Sequence, residues 1–597
     1  MRILQTLKTA AFSEVILLLT GVVFYCCLVQ YYPFSFNYEI ESHNQYAISA
    51  FAVLCFLLSI IMQIRNSMTA SEIVIRGVAV LIMGALYYSV AGGFSNEHLT
   101  VLSCIFIVVF CCTPRSVRFI TQLWLCLLIV YAWQLLFGLF QFGINYGGVQ
   151  RGITGSLQNS GVYSCYLVIA LPLVFFFSGL GQERWRKTRM TSALVVTLIT
   201  LLIVLYNRSR TALVVLAVGC VYRVLVQIRG SRMSRKWKLV AYAGVSIAIM
   251  LVIAWGARYA IEIKALSASG RMLMQEVVCR YGIKHPWTGV GVGKISWYYP
   301  QWQSLYFAME KSARADFVLS AGEAYIIQNE YLQWYTEAGL TGTIAGIAVL
   351  VWFFQTRSNQ YNRLLRMLKL TMCAILVSAL TTYTAHISCF LFLFFFCLLT
   401  ALRIKDRSPV VTRKWKIWTV AGISTVAGIF LIVRSIDQFQ KANQWASASQ
   451  SLSDDAMLQT YNRLYTDFKT DGKFLIQYAE AVMQSGKNQQ QAVTLIEESR
   501  KYFISYRGYV DAARIYEIMG RYKEAIDCQQ FLADYIPSKF QPRYELLQLY
   551  RASGDSLQVV KTARAIIALS AKIPSARVEF IRQEAKRALA SFSFTEQ

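Results

Sequence analysis

Histidine is nearly missing from this chain: four residues in 597, at His43, His98, His285 and His386, each standing alone. A metal site built on imidazole needs several such ligands, so no metal is expected. Cysteine is present fourteen times, yet all except Cys279 and Cys528 fall in apolar stretches, where a thiol acts as a small buried hydrophobe. No disulfide framework or zinc spacing appears. A phosphate-binding loop is missing as well. Gly289-Val290-Gly291-Val292-Gly293-Lys294 comes nearest, but Ile295 stands where Ser or Thr would bind magnesium. The glycines are read instead as a tight turn that brings backbone close to a ligand or a neighbouring helix. No cofactor is implied. Acidic residues are few, 32 against 59 Lys and Arg, but the basic excess is spread over many short connectors, which excludes a nucleic-acid footprint.

What fills the chain is apolar sequence, 56% of all residues. A membrane span takes about 20 apolar residues. Thirteen candidates run near 12–32, 47–64, 73–91, 97–112, 117–143, 161–178, 189–206, 211–227, 237–257, 333–356, 364–383, 385–402 and 415–433. The first has no small-residue cleavage site after it and is read as a retained helix. Alternate connectors are basic, as in Arg229, Arg232, Arg235, Lys236 and Lys238, while those between are nearly free of Lys and Arg. The positive-inside rule then places the N-terminus in the cytoplasm and everything after about 434 outside.

The expected fold class is all-α: a polytopic membrane bundle over 1–434 followed by a soluble helical-repeat domain over 435–597. Within the bundle, a loop over 258–330 is far longer than the others and rich in Trp, Tyr and Gly; exported loops of that size commonly build part of a site. In the tail, Gly486, Gly520 and Gly554 recur with a period of 34, accompanied by Ala479, Ala513 and Leu547. That period, with small residues at helix contacts, is the tetratricopeptide signature. Such arrays present surfaces to peptides or partner proteins, so a protein partner of the tail is expected.

Four exported segments could carry chemistry: Arg151 to Gly161; Asn207-Arg208-Ser209-Arg210; Arg271 with the glycine segment; and Gln328-Asn329-Glu330-Tyr331 running on through Glu337. Arg208 and Arg210 break the positive-inside rule, since they lie on the side that Lys and Arg avoid. Arg151, Arg208, Arg210 and Arg271 all fall at the outer side near helix ends. Arginine offers a permanently charged planar fork that matches phosphate oxygens. A pyrophosphate just outside the hydrocarbon would bind several of them; lipid headgroups, or carboxylates such as Asp316, are the alternative partners.

In order and placement, these segments resemble the O-antigen ligase and polymerase superfamily of bacterial inner-membrane glycosyltransferases. The resemblance covers roughly residues 10–430. It rests on Arg151 with Gly155 and Asn159, the Ser209-Arg210 pair, Arg271 with Pro286 and Gly289-Val290-Gly291, and Asn329-Glu330-Tyr331-Leu332 with Glu337 and Gly339. It implies a glycan linked to undecaprenyl pyrophosphate as donor. Arg210, with Arg151, Arg271 and Arg208, would hold the pyrophosphate, and Asn159, Asn329 and Tyr331 would line the remainder of the substrate site. The acceptor would be lipid A–core, a protein Ser or Thr, or another glycan. The site would face the periplasm. The Arg151 segment departs from the family at Ser156, Leu157 and Ser160-Gly161, and one further departure matters for the chemistry: Gln328 stands where the superfamily has a histidine proposed to help the acceptor attack. An amide orients a hydroxyl but cannot take its proton. Three alternatives follow. Gln328 only positions the acceptor; or Glu330, Glu323 or Asp316 serves as base; or the reaction relies on the departure of its lipid pyrophosphate. The competing reading is a transporter or flippase for an anionic lipid-linked or polysaccharide substrate, with the tail as a docking domain.

Overall fold

A computed structural model describes residues 19–23, 25–26, 47–57, 104–105, 107–109, 117–145, 152–230, 234, 236–237, 239–241, 243–244, 265–310, 313–405, 414–450, 454–486 and 488–593. Among these residues all regular structure is helical. Among the described residues, six helices are long and apolar enough to cross a membrane: Ile120–Ile144, Ser160–Ser178, Glu183–Tyr206, Glu330–Gln355, Ser388–Lys405 and Ala421–Ala448. Of the thirteen expected spans, 73–91 lies outside the described residues and 12–32, 97–112 and 237–257 lie largely outside them; of 47–64, the described part is an apolar helix over Ala47–Leu57. The 211–227 candidate is covered by a helix over Arg210–Gly230. The 364–383 candidate is shorter than expected, a helix over Asn362–Ser378 whose first turns carry Arg363, Arg366 and Lys369.

We number the longer helices α1 (Val117–Asn145), α2 (Ser160–Ser178), α3 (Arg186–Tyr206), α4 (Arg210–Gly230), α5 (Ala265–Tyr281), α6 (Ile295–Met309), α7 (Ala315–Ser320), α8 (Glu330–Gln355), α9 (Asn362–Ser378), α10 (Ser388–Lys405) and α11 (Lys414–Ala448). Helix α2 is the centre of the bundle. It is apolar on every side, buries an unbroken run from Val162 to Leu171, and packs against α1, α3, α4 and α9. A helix that is hydrophobic all round has no face to give to solvent and takes an interior place. The polar groups it buries are satisfied within the bundle: Tyr163 donates to Gln134 O at 2.7 Å, and Tyr131 pairs with Thr200 at 3.1 Å. Helix α1, by contrast, exposes Ile129, Trp133, Leu136, Phe140 and Ile144. Their three- and four-residue spacing makes one apolar stripe that suits hydrocarbon.

Helix α8 is broken at Gly339, whose φ of 64° and ψ of −167° lie outside the helical region. A break leaves carbonyls without their i+4 donors. Here the glycine segment supplies them: Val290 N donates to Thr336 O and Gly291 N to Glu337 O, each at 2.9 Å. The approach is so close that a Cβ at Gly289 would sit 2.3 Å from Glu337 O, and one at Gly339 would sit 2.4 Å from Trp287 O. The turn expected from the glycines is thus a backbone-to-backbone dock against a broken helix. Glu337 accepts from the backbone N–H groups of Gly293 and Ile295 and so caps the start of α6.

The tail continues as α12 (Asp454–Phe468), α13 (Gly472–Ser485), α14 (Gln489–Ser499), α15 (Tyr506–Ile518), α16 (Tyr522–Tyr535), α17 (Phe540–Ala552), α18 (Ser556–Ala568) and α19 (Ala576–Ser593). Helices α13–α14, α15–α16 and α17–α18 pack as successive pairs. Gly486, Gly520 and Gly554 occupy the turns inside these pairs at φ of 66°, 72° and 77°. A left-handed residue ends a helix cleanly, and glycine adopts it without Cβ strain. Ala479, Ala513 and Leu547 are all buried at the pair contacts. Membrane and tail are joined by α11, whose 35 residues rise about 52 Å. That exceeds a hydrocarbon core of about 30 Å, and the far end of α11 plants Ala442, Trp445 and Ala448 in the core of the tail.

Candidate functional site

The site grows from the turn between α3 and α4. Asn207 and Ser209 are buried, Arg208 is exposed and Arg210 is half-buried at the start of α4. Arg208 takes φ +50°, a left-handed conformation that costs a side-chain-bearing residue energy. The turn is pinned by Asn207. Its side chain accepts from Ile153 N and donates to Ile153 O, both at 2.8 Å, and donates to Ser164 Oγ at 3.0 Å. Thus the segment after Arg151 is fastened beside the Arg208–Arg210 turn. Arg151 itself lies outside the described residues. Asn159 caps α2 by accepting from Gly161 N and Val162 N, and its amide donates to Tyr383 Oη at 3.2 Å.

Arg271, on α5 in the large loop, reaches the same place. Its Nε donates to Gln328 Oε1 at 2.5 Å, and Arg210 and Tyr383 are near enough to act on its charge. Burial, and next the charge of Arg210, push the Arg271 guanidinium down from its ordinary value. Arginine still stays charged at physiological pH. Two guanidiniums within electrostatic reach of each other, one partly stripped of water, make a region of positive potential suited to an anion with more than one charge.

The bond to Arg271 also orients Gln328. Arginine only donates, so Gln328 must turn its carbonyl oxygen toward Arg271 and point its NH2 the other way. In that pose Gln328 offers donors to a substrate oxygen.

The remaining residues around Gln328 serve the backbone. Asn329 caps α8 by accepting from Leu332 N at 3.1 Å. Tyr331 donates to Leu376 O at 2.7 Å and ties α8 to α9. Glu330 is buried, accepts from Ala385 N at 2.7 Å and lies 3.3 Å from His386 Nδ1. On the other side of the ring, His386 Nε2 is 2.9 Å from Gln333 Nε2. Gln333 accepts at its oxygen from Ile327 N, so its nitrogen donates, and His386 Nε2 must be the unprotonated acceptor. The proton then sits on Nδ1 toward Glu330. His386 is a neutral ring engaged at both nitrogens, not a base open to an acceptor.

The other carboxylates named as bases are engaged too. Asp316 accepts from Ser269 Oγ at 2.7 Å and from Arg314 at 2.8 and 3.1 Å. These donors hold its carboxyl below the ordinary range, Arg314 foremost. Glu323 accepts from Tyr506 N in the tail at 2.9 Å and from Tyr325 Oη. Among the described residues, no three His, Cys, Asp or Glu side chains gather as a metal-ligand set.

The sequence reading missed the connector between α9 and α10. Expected spans of 364–383 and 385–402 left almost no room for one, yet α9 ends at Ser378 and α10 begins at Ser388. The intervening segment joins the arginine cluster to the start of α8. Thr381 pairs with Thr211 at 2.7 Å, Tyr383 binds Asn159, Ala385 binds Glu330, and Ala379 O accepts from Glu330 N at 2.9 Å. The polar run Thr381-Thr382-Tyr383-Thr384 inside apolar sequence was the available signal.

Residues 195–347 match the sequence model of the O-Antigen ligase family. No curated protein matches the chain. The matched O-Antigen ligase segment contains Arg208, Arg210, Arg271 and the run from Gln328 to Tyr331; Arg151, Asn159 and the tail lie outside it. It supports the O-antigen ligase superfamily for the membrane part, and in general terms a membrane transferase that acts on a lipid-linked glycan.

Proposed function

We propose that the protein transfers a glycan from undecaprenyl pyrophosphate to an acceptor hydroxyl at the periplasmic face of a bacterial inner membrane. The observation that carries this is the joining of Arg271 to Gln328 beside Arg210. A pyrophosphate group and an acceptor oxygen have adjoining places there. Arg210 and Arg271 bind the pyrophosphate, joined by Arg151 as the family resemblance implies; Arg208, exposed in the turn, supplies further charge. Gln328 directs its NH2 to the acceptor hydroxyl. Asn159 holds Tyr383 and the mouth of α2, while Asn329, Glu330 and Tyr331 fix the first turn of α8 that follows Gln328.

The chemistry follows from these groups. The acceptor oxygen forms a bond to the anomeric carbon, the bond from that carbon to the pyrophosphate oxygen breaks, and the electron pair leaves with the lipid pyrophosphate. Two guanidiniums stabilise the charge that grows on the leaving oxygens, the role that preorganised donors fill in acyl and phosphoryl transfer. Asp316, Glu323 and Glu330 each accept hydrogen bonds from neighbouring donors, which supports a reading in which leaving-group stabilisation carries the reaction and Gln328 contributes orientation. The acceptor proton passes to solvent or to the departing phosphate. The tail, read as a tetratricopeptide array outside the membrane, serves acceptor choice or assembly. The acceptor is lipid A–core, a protein hydroxyl or a glycan end.

Reconstitution in vesicles with a glycan on undecaprenyl pyrophosphate and each acceptor class tests this. The expected product is a new glycosidic bond. Movement of the lipid-linked glycan across the bilayer without such a bond would establish the transporter instead.

A further inference from the structure

The large loop does not stand free of the tail. Helix α6 lies against α16 and crosses two successive junctions between helix pairs. Trp297 Nε1 donates to Arg500 O at 2.9 Å, and Gln303 Nε2 donates to Tyr535 O at 2.7 Å. These two donors are six residues apart on one helix, a rise of about 9 Å. That matches the spacing of about 8–10 Å between packed helices, so α6 spans one repeat step of the tail.

Gln303 is 1% exposed and uses its whole amide. Its oxygen accepts from Tyr299 Oη at 2.8 Å, and its nitrogen also donates to Gly322 O at 3.1 Å. One buried side chain therefore joins α6, the segment after α7, and the tail. A second anchor follows directly in that segment. Glu323 accepts from Tyr506 N, Ala324 N donates to Tyr535 Oη at 3.3 Å, and the Tyr325 ring packs 5.5 Å from that of Phe503. Residues 321–329 have no helix or strand of their own, so their path is set by these anchors at 322–325 and by Gln333 on Ile327 N and Arg271 on Gln328 at the far end. Glu323 stands five residues before Gln328, an extended reach of at most about 18 Å.

We propose that the tail is a positioning element for the acceptor half of the site, with Glu323 and Gln303 as the residues through which its pair junctions fix where Gln328 presents its amide. This rests on the glycan-transfer reading. Glu323 is a positioning residue in this scheme and takes no proton.

The test uses the full-length protein in vesicles, as Glu323→Ala and Glu323→Gln. The glutamine keeps an oxygen to accept from Tyr506 N but cannot act as a base. Amide hydrogen exchange over 321–328 reads the anchor, and transfer kinetics with donor and acceptor varied separately read its consequence. Glu323→Ala is expected to exchange about tenfold faster and to raise the acceptor KM about tenfold, with the donor KM within about twofold. Glu323→Gln is expected to restore both. Unchanged exchange in Glu323→Ala overturns the proposal, whether or not transfer is observed. Equal loss of kcat in both variants with unchanged acceptor KM also overturns it, and marks Glu323 as the base. If the wild-type protein forms no glycosidic bond while Glu323→Ala still exchanges faster, the glycan-transfer reading fails and the anchor of the loop on the tail stands.

Discussion

At the scale of single residues, the account turns on Gln328. With its oxygen given to Arg271, it has only donors to offer and does not titrate. Transfer should therefore be flat in pH across about 6–8.5. Gln328→His would place a ring with an ordinary value near 6.5 at that position, and the pH–rate profile should gain a limb near that value. A flat profile in both proteins would show that residue 328 does not touch the reacting hydroxyl. A different pH dependence belongs to the tail, where Glu480 faces Asp511 and Arg507. Burial, and then the Asp511 charge, push the Glu480 carboxyl up to about 7, and burial raises Asp511 as well. Below the ordinary carboxylate range both folded and unfolded chains hold the protons. As pH rises toward about 7 the unfolded chain ionises first, so the tail loses stability through that window. Thermal melts of the full-length protein should show the tail transition falling from pH 5 to pH 8, and Glu480→Gln should flatten the fall. Arg208 and Arg210 could be singled out in the sequence because their charge breaks the expected pattern of connectors, and Arg210 lies within electrostatic reach of Arg271. The pairing of Arg271 with Gln328 was not legible, because it joins positions 57 residues apart. Nor was the role of His386, since a lone histidine in apolar sequence carries no sign of what its ring will meet.

At the scale of elements, the informative feature is the broken α8. Its freed carbonyls are met by the backbone of the glycine segment, and that dock precedes Lys294 and α6, the helix that leans on the tail. Gly339→Ala would force a Cβ into φ +64° and into Trp287 O. Strain of this kind costs about 1–3 kcal/mol at one residue, and the contact adds to it. The expected result is a lower melting temperature together with faster amide exchange over 286–294. An alanine variant as stable and as protected as the wild type would contradict the dock. The glycines were legible as a close approach of backbone because only glycine fits there; their partner was not, since it lies on a helix that hydropathy reads as continuous. The same limit hid the connector between α9 and α10. Burial of Thr382 and Thr384 keeps it inside the bundle, so its short polar run sits between two apolar stretches without the charge that marks an exposed connector. The 34-residue glycine period was legible for the opposite reason: each repeat demands a left-handed turn, and the sequence meets it three times.

At the scale of the whole molecule, charge asymmetry and apolar runs announced a membrane bundle with a large loop and a helical tail. What they could not announce is that the loop bridges the two. Arg271 and Gln328 belong to the loop, Arg210 to the bundle, and the anchors at Gln303 and Glu323 to the border with the tail. In the proposed reading, the donor half thus draws Arg210 from the bundle and Arg271 from the loop, and the acceptor half sits on a segment held from outside the bundle. This division predicts that damage to the arginines should be felt by the leaving group, and damage to the anchors by the acceptor. The most direct measurement is the transfer rate of Arg210→Ala and Arg210→Lys with a glycan on undecaprenyl pyrophosphate in reconstituted vesicles. Loss of a preorganised donor to developing charge typically costs about 10²–10³ in kcat, so Arg210→Ala should fall by about that much. Arg210→Lys should recover part of the loss, since it keeps the charge without the fork. Transfer at the wild-type rate by Arg210→Ala would contradict the account.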